Sequence, residues 1–401
     1  MSSDFPAFPW LNSDYIKTIL AKYEGHENFE VNDFSIGSGS AMGENFAGVI
    51  HRVKINYTMS GIKKEASFIL KTSPQAGAVA ELLENLNVYE GEVYMYHKIH
   101  NECESLLSGF KMAPSIIYAD ENALVLEDLT TINYVLANRK ERFNLTKSKL
   151  VLEKIAKFHA ITAKMYENKP DSIVHMASAY DEETPLTFFL GASFQESMET
   201  ISSTTELQQY LPKLENFDIV QEEKNIYTRV NNDRFRVLNH GDLWINNIFF
   251  KYDELNNPVD ALLVDYQESF FGSPGIDFNH FLYTSCDFNV HSKHFDELIK
   301  FYYDTLISAL KQLNYLKIPT YDDIKYEIRN KAKQGLICLL SVVPVQMIEN
   351  PEHANPEYFL ADTEEAQVIR QEVYGNPKYV DVLKVLLPSV LNRVNNPESH
   401  I

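Results

Sequence analysis

The stretch His240-Gly241-Asp242-Leu243-Trp244-Ile245-Asn246-Asn247, followed after a polar turn by Ala261-Leu262-Leu263-Val264-Asp265-Tyr266-Gln267, decides how this chain is read. Asp242 and Asn247 stand in an H-x-D-x-x-x-x-N arrangement, and Asp265 ends an apolar run. Between them, Lys251 to Asp260 is rich in turn formers, while Asn247 to Lys251 and Ala261 to Val264 are short apolar strand candidates. A hairpin of this kind returns Asn247 and Asp265 to the same end.

That spacing suits phosphoryl transfer, whose loose transition state asks for positioning and charge neutralisation more than for a strong nucleophile. One carboxylate then faces an acceptor hydroxyl while a second holds a metal ion. Asp242 is the candidate for the first role. An ordinary aspartate, with a reference pKa of about 3.9, is a weak base, but an alcohol proton that leaves late needs mainly orientation. Asn247 offers an uncharged oxygen and Asp265 an anionic one, and hard oxygen donors suit Mg2+. The pattern therefore predicts chemistry dependent on ATP and Mg2+, with Asp242, Asn247 and Asp265 catalytic and the last two also metal ligands.

Such a site makes demands upstream. It needs a strand lysine to grip phosphates, and Ser67-Phe68-Ile69-Leu70-Lys71 is a β-like run ending in Lys71. A lysine at a strand end also snorkels to solvent for no functional reason, so Lys71 gains weight only beside the downstream loop. A glutamate must fix that lysine. In Tyr89 to Ile99 the apolar residues Tyr89, Val93, Tyr96 and Ile99 fall at helical spacing, with Glu92 the first choice and Glu90 the second. The glycine-rich segment from Ile36 to Val49, including Gly43 and Asn45, would let backbone N–H groups approach phosphates or would make a plain hairpin turn. No Walker A pattern occurs. Ala123 to Leu129 is a short apolar strand running into acids, placed to join two lobes, so that the backbone around Leu126, Glu127 and Asp128 would meet an adenine edge.

The order of elements predicts an α+β, bilobal architecture: a small β-rich N-lobe over residues 1–129 and a larger, mainly helical C-lobe over 130–401. Leu150 to Thr162 carries a helical apolar face on which His159 reads as structural, and Leu336 to Ile348 reads as a buried C-lobe helix, too short to span a bilayer and broken by Pro344. Asp277 reads as an N-cap for a helix beginning near Phe278. Phe188, Phe189 and Phe194 suit core packing better than an acceptor pocket.

Several motifs together resemble the ecdysteroid kinase-like family of insects, within the choline kinase and aminoglycoside phosphotransferase group. They are Gly43-x-Asn45-Phe46, Ile69-Leu70-Lys71, Tyr89-x-x-Glu92-x-x-x-Tyr96, Leu126-Glu127-Asp128-Leu129, Ile155-Ala156-Lys157-Phe158-His159-Ala160, and the two segments quoted first. The resemblance spans nearly the whole chain. It implies a protein-kinase-like fold and ATP-dependent phosphorylation of a small-molecule hydroxyl, on an ecdysteroid or, in detoxification, a foreign alcohol. It also implies that Asp277 braces the catalytic loop. Two departures stand out: Tyr266 replaces the commoner phenylalanine, and Gln267 removes a second metal carboxylate.

Composition excludes other classes. With 401 residues, 45% hydrophobic and 12% aromatic, the chain fills sizeable cores, while a net charge of −20 argues against nucleic acid and favours neutral or cationic acceptors. Cys103, Cys286 and Cys338 lack metal or redox spacing, and the N-terminus lacks a signal-peptide pattern, so a reducing, cytoplasmic setting is expected, without membrane insertion. The sequons at Asn56 and Asn144 then go unused. A protein kinase would need a long segment between Asp265 and Asp277, which is absent. The remaining alternative is a pseudokinase that binds a small apolar ligand.

Overall fold

The computed structural model describes residues 8–39, 49–73, 77, 80, 88–173, 185–228 and 233–395. Gly43 and Asn45 lie outside them.

Helix α1 (Ser13–Glu24) is capped by Asn12, whose side chain accepts the N–H groups of Asp14 and Tyr15. It packs on an antiparallel five-stranded sheet, ordered β1 (Glu30–Ser38), β2 (Val49–Met59), β3 (Ile62–Thr72), β5 (Leu124–Glu127), β4 (Ile116–Ala119). Strand β3 alternates, with Phe68 and Leu70 buried in the upper core and Ser67, Ile69 and Lys71 on the other face. Helix α2 (Val88–Tyr94) continues through a π-helical stretch (Met95–His100) into Asn101–Leu106. Its Met95, Tyr96 and Ile99 join the core of the larger lobe, although they precede β4 in sequence.

Sheet partners change after β5. Strand β6 (Tyr134–Leu136) pairs with β8 (Ile248–Tyr252), which forms a hairpin with β9 (Pro258–Leu263), and β7 (Val237–Asn239) pairs with β10 (Phe270–Gly272). Around these lie α3 (Leu145–Asn168), α4 (Pro185–Ser203), α5 (Ile219–Thr228), α6 (Gly275–Ser285), α7 (Phe295–Gln312), α8 (Tyr321–Asn330), α9 (Ala332–Leu340), α10 (Val342–Gln346), α11 (Glu357–Leu360), α12 (Glu364–Tyr374) and α13 (Pro377–Asn395). The result is a protein-kinase-like bilobal fold with a β-rich small lobe and a mainly helical large one. Among the described residues no helix is long and apolar enough to cross a membrane.

Two expectations need correction. The run Leu336 to Ile348 is not one helix. It breaks at Ser341, because Pro344 has no N–H to give the carbonyl of Leu340 and its ring crowds that carbonyl. The freed Leu340 oxygen accepts the Ser197 hydroxyl at 2.8 Å. Of the two readings of Asp277, the N-cap fails, since α6 already begins at Gly275, and its carboxylate turns back to the loop at His240 and Gly241 as a brace would.

Helices α6 and α9 meet at Gly335, where an added Cβ would lie 2.2 Å from the ring of fully buried Tyr283. Gly335→Ala should therefore destabilise the fold by about 1–3 kcal/mol in urea unfolding, overpacking outweighing alanine's better helix propensity. A neutral or stabilising result would show that the contact relaxes freely.

Candidate active site

The alternation of β3 aims Lys71 at the cleft between lobes, where its Nζ meets Glu92 Oε2 at 2.8 Å and Asp265 Oδ1 at 2.6 Å. Glu90 is exposed. The three side chains are 12%, 3% and 14% exposed, so water screens them little. Burial alone would depress the lysine pKa, but the charges of Asp265 and Glu92 outweigh it and hold Lys71 protonated. Burial raises the Glu92 carboxyl against the pull of Lys71, with Asp265 adding to the rise. Two carboxylates around one ammonium leave a surplus negative charge in a dry cleft.

Asp265 itself adopts φ +68°, a left-handed conformation uncommon for a residue with a side chain. Its neighbours hold it there. Val264 donates its N–H to Asn247 O at 3.0 Å, and His240 Nε2 lies 3.1 Å from Val264 O. Tyr266 is fully buried, against Tyr96 of the α2 extension (5.7 Å between ring centroids), His100 (4.3 Å) and His240 (4.4 Å). Its hydroxyl, the difference from phenylalanine, reaches 3.5 Å from Met112 O.

The catalytic loop hangs on Asp277. This carboxylate, wholly buried, accepts the N–H of His240 at 2.7 Å and of Gly241 at 3.0 Å, and lies 3.1 Å from His159 Nε2. Burial pushes its pKa up, yet the bonds and charges from His159 and His240 outweigh that and hold it below the usual carboxylate range. His159 is anchored in turn by Tyr302, 2.6 Å from Nδ1. Gly241 turns the chain at φ +90°, and a Cβ there would sit 2.0 Å from Glu268 O.

Asn247 Nδ2 donates to both Asp242 O and Asp242 Oδ2, each at 2.9 Å. The other carboxylate oxygen, Oδ1, lies 3.7 Å from His280 Nε2. Burial, then the charges of Glu268 and Asp265, raise the Asp242 pKa well above that of a free aspartate, which makes it a better proton acceptor than the sequence alone suggests. Glu268 reaches solvent at the rim, but the surrounding protein and the charges of Asp265 and Glu223 push its carboxyl up to about 7. Burial lowers His280 to about 4, leaving it neutral.

Two hollows flank this loop. A cleft of about 110 Å³ is lined by Lys71, Glu92, Leu126, Glu127, Asp128, Asn247 and Asp265. The side chains of Glu127 and Asp128 are already engaged, Glu127 by Lys111 at 2.6 Å and Asp128 by Arg52 at 2.8 Å and Ser67 at 2.7 Å. They brace the strand junction rather than pointing free into the cleft. The second hollow, about 180 Å³, is bounded by Gly241, Asp242 and Trp244 on one side and by α4, α9 and α11 on the other. Sequence reasoning missed most of its lining, including Glu223, His280 and Gln334. One signal was present: His280 falls one helical turn after Asp277. Of the three phenylalanines, Phe189 lines this hollow, whereas Phe188 lies under Arg370 and Phe194 faces Phe217.

The donors fit a hard divalent cation. Asn247 spends its amide N–H on Asp242, which leaves its carbonyl oxygen to coordinate, Asp265 adds a carboxylate, and Gln267 Oε1 is buried without a hydrogen-bond partner among the described residues. No three His, Cys, Asp or Glu side chains among the described residues converge to hold a metal by themselves. A Mg2+ ion here would complete its shell with water and phosphate oxygens.

The sequence family described as ecdysteroid kinase-like matches residues 42–315. No curated protein sequence matches the chain. Among solved structures, an ethanolamine kinase from Plasmodium vivax is similar at 14% identity and TM-score 0.42, covering 93% of this chain and 91% of its own. The macrolide 2'-phosphotransferase MphH from Brachybacterium faecium is similar at 11% identity and TM-score 0.39, over 91% and 99%.

Two outcomes follow. Asp277→Ala strands two buried N–H groups and His159, and should cost about 3 kcal/mol in urea unfolding; a loss below about 1 kcal/mol would contradict the brace. For Glu268, a folded pKa of about 7 lies above that of the free carboxyl, so the folded state binds the extra proton and stability falls as pH rises from the free value through about 7. Melting temperatures of metal-free protein should show that fall, and Glu268→Gln should reduce it. An identical pH profile for the variant would remove Glu268 from the acidic cluster.

Proposed function

Since the chain belongs to the ecdysteroid kinase-like family, we propose that it transfers the terminal phosphoryl group of ATP to a hydroxyl of a small molecule. One observation carries this reading: the loop Gly241–Asn247 separates a cleft fronted by Lys71, Glu92 and Asp265 from a hollow fronted by Asp242. A nucleotide in the first and an alcohol in the second would meet across Asp242.

Asp242, bonded through Oδ2 by Asn247 and approached by the Trp244 side chain, accepts the hydrogen bond of the acceptor hydroxyl with its carboxylate. As the hydroxyl oxygen bonds to phosphorus and the bridging oxygen leaves with ADP, Asp242 takes the hydroxyl proton, helped by its raised pKa. Lys71, fixed by Glu92, binds the phosphates. Bound Mg2+ supplies charge neutralisation at the phosphate oxygens, and Asn247 and Asp265, with Gln267 in support, are the residues that would hold it. The protein kinase alternative is disfavoured because a three-residue strand (Phe270–Gly272) and then α6 follow Asp265 directly, leaving no peptide-docking segment. The formed Lys71–Glu92 pair disfavours the pseudokinase.

The lining of the acceptor hollow suits an amphipathic alcohol. Phe189, Leu190, Ile337, Val345 and Phe359 supply an apolar wall, and Asp242, Glu223 and Glu268 supply acids, with no lysine or arginine lining it among the described residues. Anionic acceptors would meet repulsion and neutral or cationic ones would not. An ecdysteroid or a foreign alcohol with an apolar body meets that requirement.

The test is mass spectrometry of a panel of neutral, cationic and anionic alcohols incubated with enzyme, Mg2+ and ATP. A product one phosphoryl group heavier should form from a neutral or cationic member. With Asp242→Asn, kcat should drop by roughly 10²–10⁴ while ATP affinity changes little. Wild-type turnover by the variant would remove Asp242 from the chemistry, and product from anionic members alone would overturn the acceptor class.

A further inference from the structure

Away from the catalytic cleft, the large lobe holds a third hollow of about 280 Å³, larger than either of the other two. It lies between the loop after β6, the segment after α10 and the first turns of α13. Four cations line it, Arg139, Lys140, Arg142 and Lys378, against two carboxylates, Glu349 and Asp381. In a chain with a net charge of −20, a lining with a surplus of two positive charges runs against the overall balance.

Two of its lining side chains keep a buried donor without an acceptor among the described residues, while Arg139 Nη1 is spent on Gln346 O at 2.9 Å. Arg142 Nη1 donates to Tyr283 O at 3.0 Å and Cys286 O at 3.1 Å, which explains that nitrogen as a cap on the last turn of α6. Its Nη2 is enclosed with no partner among the described residues. Gln346, 5% exposed, likewise has its amide Nε2 buried without a partner. Leaving a buried guanidinium N–H and an amide N–H unmatched costs free energy, and one oxyanion would satisfy both donor types. The opposing carboxylates do not fill this role: Glu349 is paired with Lys378, and both of these side chains are more than half exposed at the mouth.

We propose that this hollow is a second ligand site, one that takes a compact dianion of the phosphate monoester type. The two surplus charges match a dianion, and guanidinium, amide and ammonium donors suit its oxygens. The site stands apart from the nucleotide cleft, with which it shares no lining residue.

Titration calorimetry of the full chain with inorganic phosphate, without nucleotide, tests this. Lys140 and Lys378 are exposed, so Lys140→Glu/Lys378→Glu reverses two charges without disturbing the core, and intact melting behaviour would confirm folding. Wild-type protein and Lys71→Met should bind phosphate alike, while the double variant weakens binding by about tenfold or more. Gln346→Leu should weaken it as well. Three results would overturn the site: no heat from wild type at millimolar phosphate, binding abolished in a Lys71→Met protein that still melts as a folded species, or wild-type affinity in the double variant.

Discussion

The structure depends on one buried ammonium. Lys71 comes from the small-lobe sheet, Glu92 from the helix beside it and Asp265 from the end of the large-lobe hairpin, so a single Nζ ties three elements. The helix is not a free arm of the small lobe. Its Met95, Tyr96 and Ile99 belong to the large-lobe core, and Tyr96 and His100 pack on Tyr266 directly after Asp265. Glu92 and Asp265 are therefore held relative to each other by packing, and the strand bearing Lys71 docks onto that fixed pair.

Two residues with positive φ frame this junction: Asp265, where a side chain seldom takes that conformation, and Gly241, at the turn before Asp242. Asp277 holds the second turn through two backbone N–H groups, and Asn247 links the two segments by bonding Asp242 with its side chain and Val264 with its carbonyl. Loop and hairpin thus position each other, as a reaction driven by orientation requires. Beyond burial, neighbouring acids act on one another here: the charges of Glu268 and Asp265 raise Asp242, and those of Asp265 and Glu223 raise Glu268.

Much of this was legible from local pattern. The hairpin was visible because apolar runs flank a polar turn, and the cleft face of Lys71 follows from the two-residue period of β3. Glu92 was preferred to Glu90 but not separated from it by the sequence, since both stand on one helical segment; the Lys71–Glu92 ion pair decides between them. The acceptor hollow was not legible, since its walls come from helices spread between Leu186 and Leu360 and no local period joins them. At Asp277 cap and brace stood level, because an acid ahead of an apolar run looks the same whether it serves its own helix or a distant loop. The break at Ser341 needed Ser197, far away in sequence, to satisfy the carbonyl that Pro344 frees. The basic hollow escaped because total charge masks local charge.

On the proposed function, Asp265 turns the surplus negative charge of this cleft into metal-dependent nucleotide binding. Asparagine tolerates the left-handed backbone that Asp265 adopts, so Asp265→Asn removes charge with little conformational cost. The direct measurement is ATP affinity by calorimetry, with and without Mg2+, for both proteins. The account predicts that Mg2+ tightens ATP binding to the wild type and does little for the variant. Equal affinity with and without Mg2+ in the wild type, or the same Mg2+ dependence in both, would contradict it.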